Sequence, residues 1–130
     1  MFWILVNMLV AVSGFPDDET LTGYAERDAV YELVELDGEA VSVSAFVRFP
    51  GRKSMEARSP CFAYSGRLSA PMPWFEFQQA DRVAYSCIEQ PVEDTFADAL
   101  AQSTLAEVSG GIIILSDDTG PRLVFQRANH

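Results

Sequence analysis

The sequence predicts a mainly β, α+β fold: a small antiparallel sheet curled toward a barrel, with a single helix packed on or in it. Three observations carry that expectation. Apolar and polar residues alternate from Val41 to Phe49, a single stretch after Pro91 has helical spacing, and Asp37-Gly38, Pro50-Gly51 and Gly110-Gly111 punctuate short β-rich runs. A chain of 130 residues holds material for one domain core, and 48% hydrophobic with 22% charged residues are globular proportions.

The first charged residue is Asp17, and the apolar run Phe2 to Val12 before it has the length of a signal-peptide core, short of the roughly 20 residues that span a bilayer. Val12 and Gly14 suit a cleavage site, although no Lys or Arg precedes the run. Residues 1–14 are therefore expected to be an export signal, with an uncleaved apolar anchor or a folded first strand as the other readings. If the run stays uncleaved, residues 2–12 offer membrane association. Residues 15–28, with Pro16 and Asp17-Asp18-Glu19, are expected to be an acidic linker, and the domain proper to occupy 29–127.

Tyr31, Leu33, Val34 and Leu36 form a strand ending at Asp37-Gly38, a strong hairpin signal that makes the next strand its antiparallel neighbour. In that strand Val41, Val43, Ala45, Val47 and Phe49 share one face; Phe46 breaks the polar face opposite. After Pro50-Gly51, strands are expected over 54–58 and 62–69, with a bulge or edge at Pro60, and a short aromatic strand over Trp74 to Phe77. Pro91 suits a helix start, and Val92, Phe96, Leu100 and Thr104 form its stripe. That stripe is expected to fill the sheet and meet Val41, Val43, Val47, Phe77 and Phe125. A terminal hairpin follows: Ile112 to Leu115, the turn Asp117-Asp118-Thr119-Gly120, and Leu123 to Phe125.

Nineteen acids against nine bases give a net charge of −10, which opposes binding to nucleic-acid backbones. The sole histidine is His130, so no internal imidazole is present for a nucleophile–base pair or a histidine-rich metal site. No catalytic, cofactor-binding or metal-binding set is therefore expected. Cys61 and Cys87, behind an export-like start, read as a structural disulfide, with two buried thiols or a catalytic cysteine as alternatives; the loop of about 26 residues would contribute ~3.5 kcal/mol. Asp117-Asp118-Thr119-Gly120 reads as a turn and not a calcium loop, and Glu89, Glu93 and Asp94 as carboxylates favoured at a helix start. The basic cluster Arg48, Arg52, Lys53 and Arg58 is either an anion or partner patch or a solvated loop. Tyr64, Trp74, Phe75 and Phe77 are either core or the lining of an apolar pocket.

Tyr31-Glu32-Leu33-Val34-Glu35-Leu36-Asp37-Gly38, then Cys61-Phe62-Ala63-Tyr64-Ser65-Gly66, then Cys87, then the helix, and finally Leu123-Val124-Phe125-Gln126-Arg127 resemble the META/HslJ-like domain family over about residues 29 to 127. The family's patterns are W-x-L-x-x-(I/L)-x-G, G-C-N-x-Y-x-G, T-x-x-x-C and L-x-F-x-R. Tyr31, Leu33, Gly38, Cys61, Tyr64, Gly66 and Cys87 carry the likeness; Tyr31 stands for Trp, Pro60 for Gly and Phe62 for Asn. The resemblance implies a small barrel-like domain of bacterial envelope, secreted and heat-shock-associated proteins, without enzymatic activity or cofactor. Together with the export-like start, it sets the expectation of a non-enzymatic, exported, envelope-associated or periplasmic module, a protein-interaction or stress-related domain, that acts as a monomer on an unidentified protein or envelope partner and binds no nucleic acid. The alternatives are a small apolar-ligand-binding barrel, which needs a cavity of roughly 300 Å³ or more, and a hydrolase using paired acids.

Overall fold

The computed structural model describes residues 19–88 and 91–128. The expected export signal, the first residues of the expected linker, Glu89 and His130 lie outside the described residues. Among the described residues, nine strands form one antiparallel sheet, with a short helix in front and a longer one between the sixth and seventh strands. In chain order they are α1 (Leu21–Tyr24), β1 (Val30–Leu36), β2 (Glu39–Ala40), β3 (Phe46–Arg48), β4 (Ser54–Arg58), β5 (Phe62–Leu68), β6 (Phe77–Ala84), α2 (Pro91–Gln102), β7 (Leu105–Ser109), β8 (Ile112–Asp117) and β9 (Gly120–Arg127).

The spatial order is β6-β5-β4-β3-β1-β9-β8-β7, with β2 appended to β1. The sheet curls until its two ends meet in part. Trp74, just ahead of β6, bridges Leu105 in β7; the Phe75 N–H donates to the Thr104 carbonyl at 2.8 Å, and the Ala106 N–H to the Pro73 carbonyl at 2.8 Å. Beyond that seam β6 pairs with β5 alone among the described residues, so the barrel remains half open.

Turn chemistry sets the hairpins where expected. Asp37 and Gly38 both have positive φ, 52° and 84°, the requirement of a tight I′ turn between Leu36 and Glu39. Gly110 and Gly111 do the same between Ser109 and Ile112, which reveals β7 as a strand that its weak alternation had concealed. At the β8–β9 turn the Asp117 carboxylate accepts the Thr119 N–H at 2.8 Å.

Three expectations are corrected. The alternating run 41–49 is not one strand: β1 pairs Leu36 with Glu39 but Glu32 with Phe46, a register shift that loops out the residues around Val43. Its alternation survives in burial alone, since Ala45, Val47 and Phe49 are buried while Val41 and Val43 pack at the core margin. Pro60, where a bulge or edge was expected, lies in the connection between the two expected strands β4 and β5, consistent with its missing donor. The aromatic strand begins only at Phe77 and continues through Ala84, residues whose exposure leaves no apolar signature; main-chain pairing to β5 holds them. Upstream of residue 29, the expected linker already belongs to the fold. Leu21 is buried in the core, the Thr22 hydroxyl donates to the Ser54 carbonyl at 3.2 Å, and the Met72 N–H donates to the Glu19 carbonyl at 2.7 Å.

The helix α2 packs against β9 and β6 with Phe96, Ala99 and Leu100 buried and Val92 at the margin. Val47 and Phe125 are in the same core, and Val41, Val43 and Phe77 pack against it. The stripe ends differently from expectation. Ser103, not Thr104, is buried, its hydroxyl donating to the Ala99 carbonyl at 2.6 Å, while Thr104 is exposed and starts the link to β7.

Candidate functional site

Two places on this frame hold chemistry: a sulfur–carboxylate junction at the foot of α2 and a groove on the outer face of β3 to β6. The junction arises because the β4–β5 connection passes beneath the helix start. Cys61 and Cys87 are joined by a disulfide with Cα atoms 5.7 Å apart, within the usual range for the bond. Cys61 is buried and Cys87 exposed. Beside them stands Glu93, which is only 1% exposed. One carboxylate oxygen, Oε1, accepts the Cys61 backbone N–H at 3.0 Å; the other, Oε2, has no hydrogen-bond partner. Glu93 stands in the first turn of α2, as expected of a carboxylate at a helix start, and the fold also buries it, while Asp94 next to it is exposed. Burial pushes the nearby Tyr64 phenol up from its ordinary pKa, against the opposing hydrogen bond with Ser59, and the Glu93 charge adds to the rise.

Strand register builds the groove. Cross-strand neighbours run Arg48, Glu56, Ser65 and Asp81 in one row and Phe46, Arg58, Ala63 and Val83 in the next. Between them lies a concavity of about 400 Å³, whose lining also includes Val30 and Tyr85. Val83 and Tyr85 are exposed at 47% and 44%. The Arg58 guanidinium lies over the Tyr85 ring, 4.5 Å from its centroid.

The expected basic patch is thus divided. Arg48 and Arg58 line the groove, whereas Arg52 and Lys53 occupy the turn between β3 and β4. Arg48 forms an ion pair with Glu56, whose hydrogen bond and charge raise the guanidinium pKa further. The expected aromatic set divides as well: Tyr64 and Phe75 are buried in the core, Phe77 packs at its margin, and Trp74 is 57% exposed beside the seam. Where Tyr64, Phe77 and Leu100 meet, the space is only about 40 Å³. Sequence reasoning missed Val83 and Tyr85 because β6 has no apolar period, but the one apolar residue on the polar side of 41–49, Phe46, pointed to this face.

The residues that carry the family likeness build the frame. The Tyr31 hydroxyl accepts the Glu26 N–H at 2.8 Å, and its ring meets Phe49 edge-on at 6.0 Å. Leu33 is core and Gly38 makes the first hairpin turn. At Gly66 the β6 backbone approaches so closely that an added Cβ would lie 2.1 Å from the Gln78 carbonyl oxygen.

Residues 21–130 match the META domain. The chain belongs to the META domain family. The match begins at Leu21, the residue that docks the supposed linker into the core. No curated protein matches the chain. Among solved structures, a protein from Burkholderia xenovorans studied by NMR is similar, with a TM-score of 0.59 at 18% identity over 89% of this chain and 93% of that one. A DUF4847 family protein from Bacteroides vulgatus is similar with a TM-score of 0.60 at 9% identity, over 80% of this chain and 94% of that one. At such identities the likeness is one of fold: a curled antiparallel half-barrel with a small helix.

Proposed function

We propose that this META domain is a non-enzymatic, exported binding module that docks a protein partner on the outer face of β3 to β6. The observation that carries this reading is where the open space lies. About 400 Å³ is available on the outer face, where apolar Phe46, Val83 and Tyr85 adjoin Arg58, against about 40 Å³ between helix and sheet. The space where Tyr64, Phe77 and Leu100 meet is far below the roughly 300 Å³ of a small-molecule site, which weighs against an apolar ligand held there. Exposed aromatic and arginine side chains beside each other are the composition of interaction hot spots. The Cys61–Cys87 disulfide supports the oxidising compartment that export would provide.

The test is site-specific photo-crosslinking in cells, with a photoreactive residue at Tyr85 and, as control, at Thr119 in the β8–β9 turn. A discrete protein adduct from position 85, absent from position 119 and lost on Val83→Asp, is the expected result. Equal labelling from both positions, or recovery of the full-length chain from the cytosol, overturns it.

A further inference from the structure

We propose that Cys61, Cys87 and Glu93 form a redox-gated site for a thiophilic divalent cation such as Zn²⁺, closed while the disulfide is intact and opened when a dithiol reductant cleaves it. The donors are already gathered: the two Sγ atoms and a Glu93 carboxylate oxygen lie within 4.8 Å of one another. A tetrahedral zinc, with bonds of about 2.3 Å to sulfur and about 2.1 Å to oxygen, sets its ligands roughly 3.5 to 3.8 Å apart. The cluster therefore needs small movements, not refolding, once the sulfur–sulfur bond is broken.

Glu93 supplies the second, independent observation. It is 1% exposed, and its Oε2 has no hydrogen-bond partner. A buried carboxylate oxygen left unpaired is costly, and a cation beside it removes that cost. Its other oxygen is held by the Cys61 N–H at 3.0 Å, so the carboxylate is tied to the same residue that provides one sulfur. Cys87 is exposed, which gives both reductant and ion a point of entry.

The balance is simple. The external dithiol gives up two electrons and two protons and becomes a disulfide, while Cys61 and Cys87 become thiols. The cation then displaces both thiol protons and takes two thiolates and one carboxylate oxygen, with water in the fourth position. Two thiolates favour Zn²⁺ or Co²⁺ over Mg²⁺ or Ca²⁺, which take oxygen ligands.

Anaerobic titration of the full chain with Co²⁺ as probe, in a phosphine reductant, tests the site. Expected are a sulfur-to-cobalt charge-transfer band and tetrahedral visible bands that saturate at one equivalent and are displaced by Zn²⁺; the oxidised protein shows neither. Glu93→Gln keeps an oxygen for the Cys61 N–H but should weaken binding by about tenfold or more, and Cys87→Ser should lose the one-equivalent site. Circular dichroism follows the fold throughout, and structure regained on adding Co²⁺ supports the proposal. Reduced protein without a charge-transfer band, whether folded or unfolded, overturns it. So does Glu93→Gln binding as tightly as the wild type, or equal binding by the oxidised protein.

Discussion

The rings of Tyr64 and Phe96 lie 6.4 Å apart between centroids and are tilted by 48°, so that the middle of β5 meets the middle of α2. Both side chains are buried, and the contact joins the helix to the sheet over the narrow space beside Leu100. Phe96→Ala is expected to cost about 3 to 5 kcal/mol, the range for a large aromatic removed from a packed core. Denaturant unfolding checks the value, and a loss below about 1 kcal/mol would show that the helix is dispensable to the core.

The Cys61–Cys87 bond closes a loop with a sequence separation of 26, which contains all of β5 and β6. Constraining a loop of that length in the unfolded chain contributes ~3.5 kcal/mol. Paired urea titrations with and without reductant, in the absence of metal ions, should show a loss of that order. Coincident curves would remove the stabilising role from the bond.

Gly66→Ala should be among the most damaging single-methyl additions. The new Cβ would sit 2.1 Å from the Gln78 carbonyl oxygen and 2.9 Å from the Gln79 Cα, both backbone atoms that cannot swing aside. The sheet already shifts register here, between Ser65 and Gly66, to let β6 pass. A cost of about 3 kcal/mol is expected, at the upper end for overpacking, with hydrogen exchange accelerated first in β6. Unaltered stability would mean that β6 does not approach β5 as described.

Acid sensitivity should centre on Asp117. Hydrogen bonding from the Thr119 hydroxyl, then from Arg122, lowers its pKa from 3.8 to about 2. Arg122 also bonds Gln102 at the end of α2 at 3.0 Å and pairs with Asp37 in the first hairpin, so three elements share one guanidinium. Because the folded-state pKa lies below the unfolded one, the Asp117 contribution is complete above pH 3.8 and disappears as pH falls through about 2. Denaturant midpoints measured across that window should fall less steeply in Asp117→Asn than in the wild type, while an identical slope would remove Asp117 from the acid transition.

Local chemistry made much of this molecule readable in advance. Asp37-Gly38 and the turn after Asp117 announced their hairpins because positive φ and side-chain-to-backbone bonds are settled within a few residues. Val92, Phe96 and Leu100 announced the helix because its spacing is local too. The strand of Gln78 to Ala84 left no such trace, since it is exposed and held by main-chain bonds to β5, which any residue types can make. Leu21 was obscured by polar neighbours, and its burial depends on a sheet built from residues far along the chain.

The functional features divide along the same line. By itself the sequence determined the fold class, the family and the pair of cysteines able to bridge, because turn residues, periodicity and motif order are properties of neighbours along the chain. Only the tertiary structure decided that Phe46, Arg58, Val83 and Tyr85 share one groove and that Glu93 is buried against Cys61. Those contacts follow from strand order and register. They join residues tens of positions apart, where the free energy of burying an apolar face, and not any local preference, chooses which side chains meet.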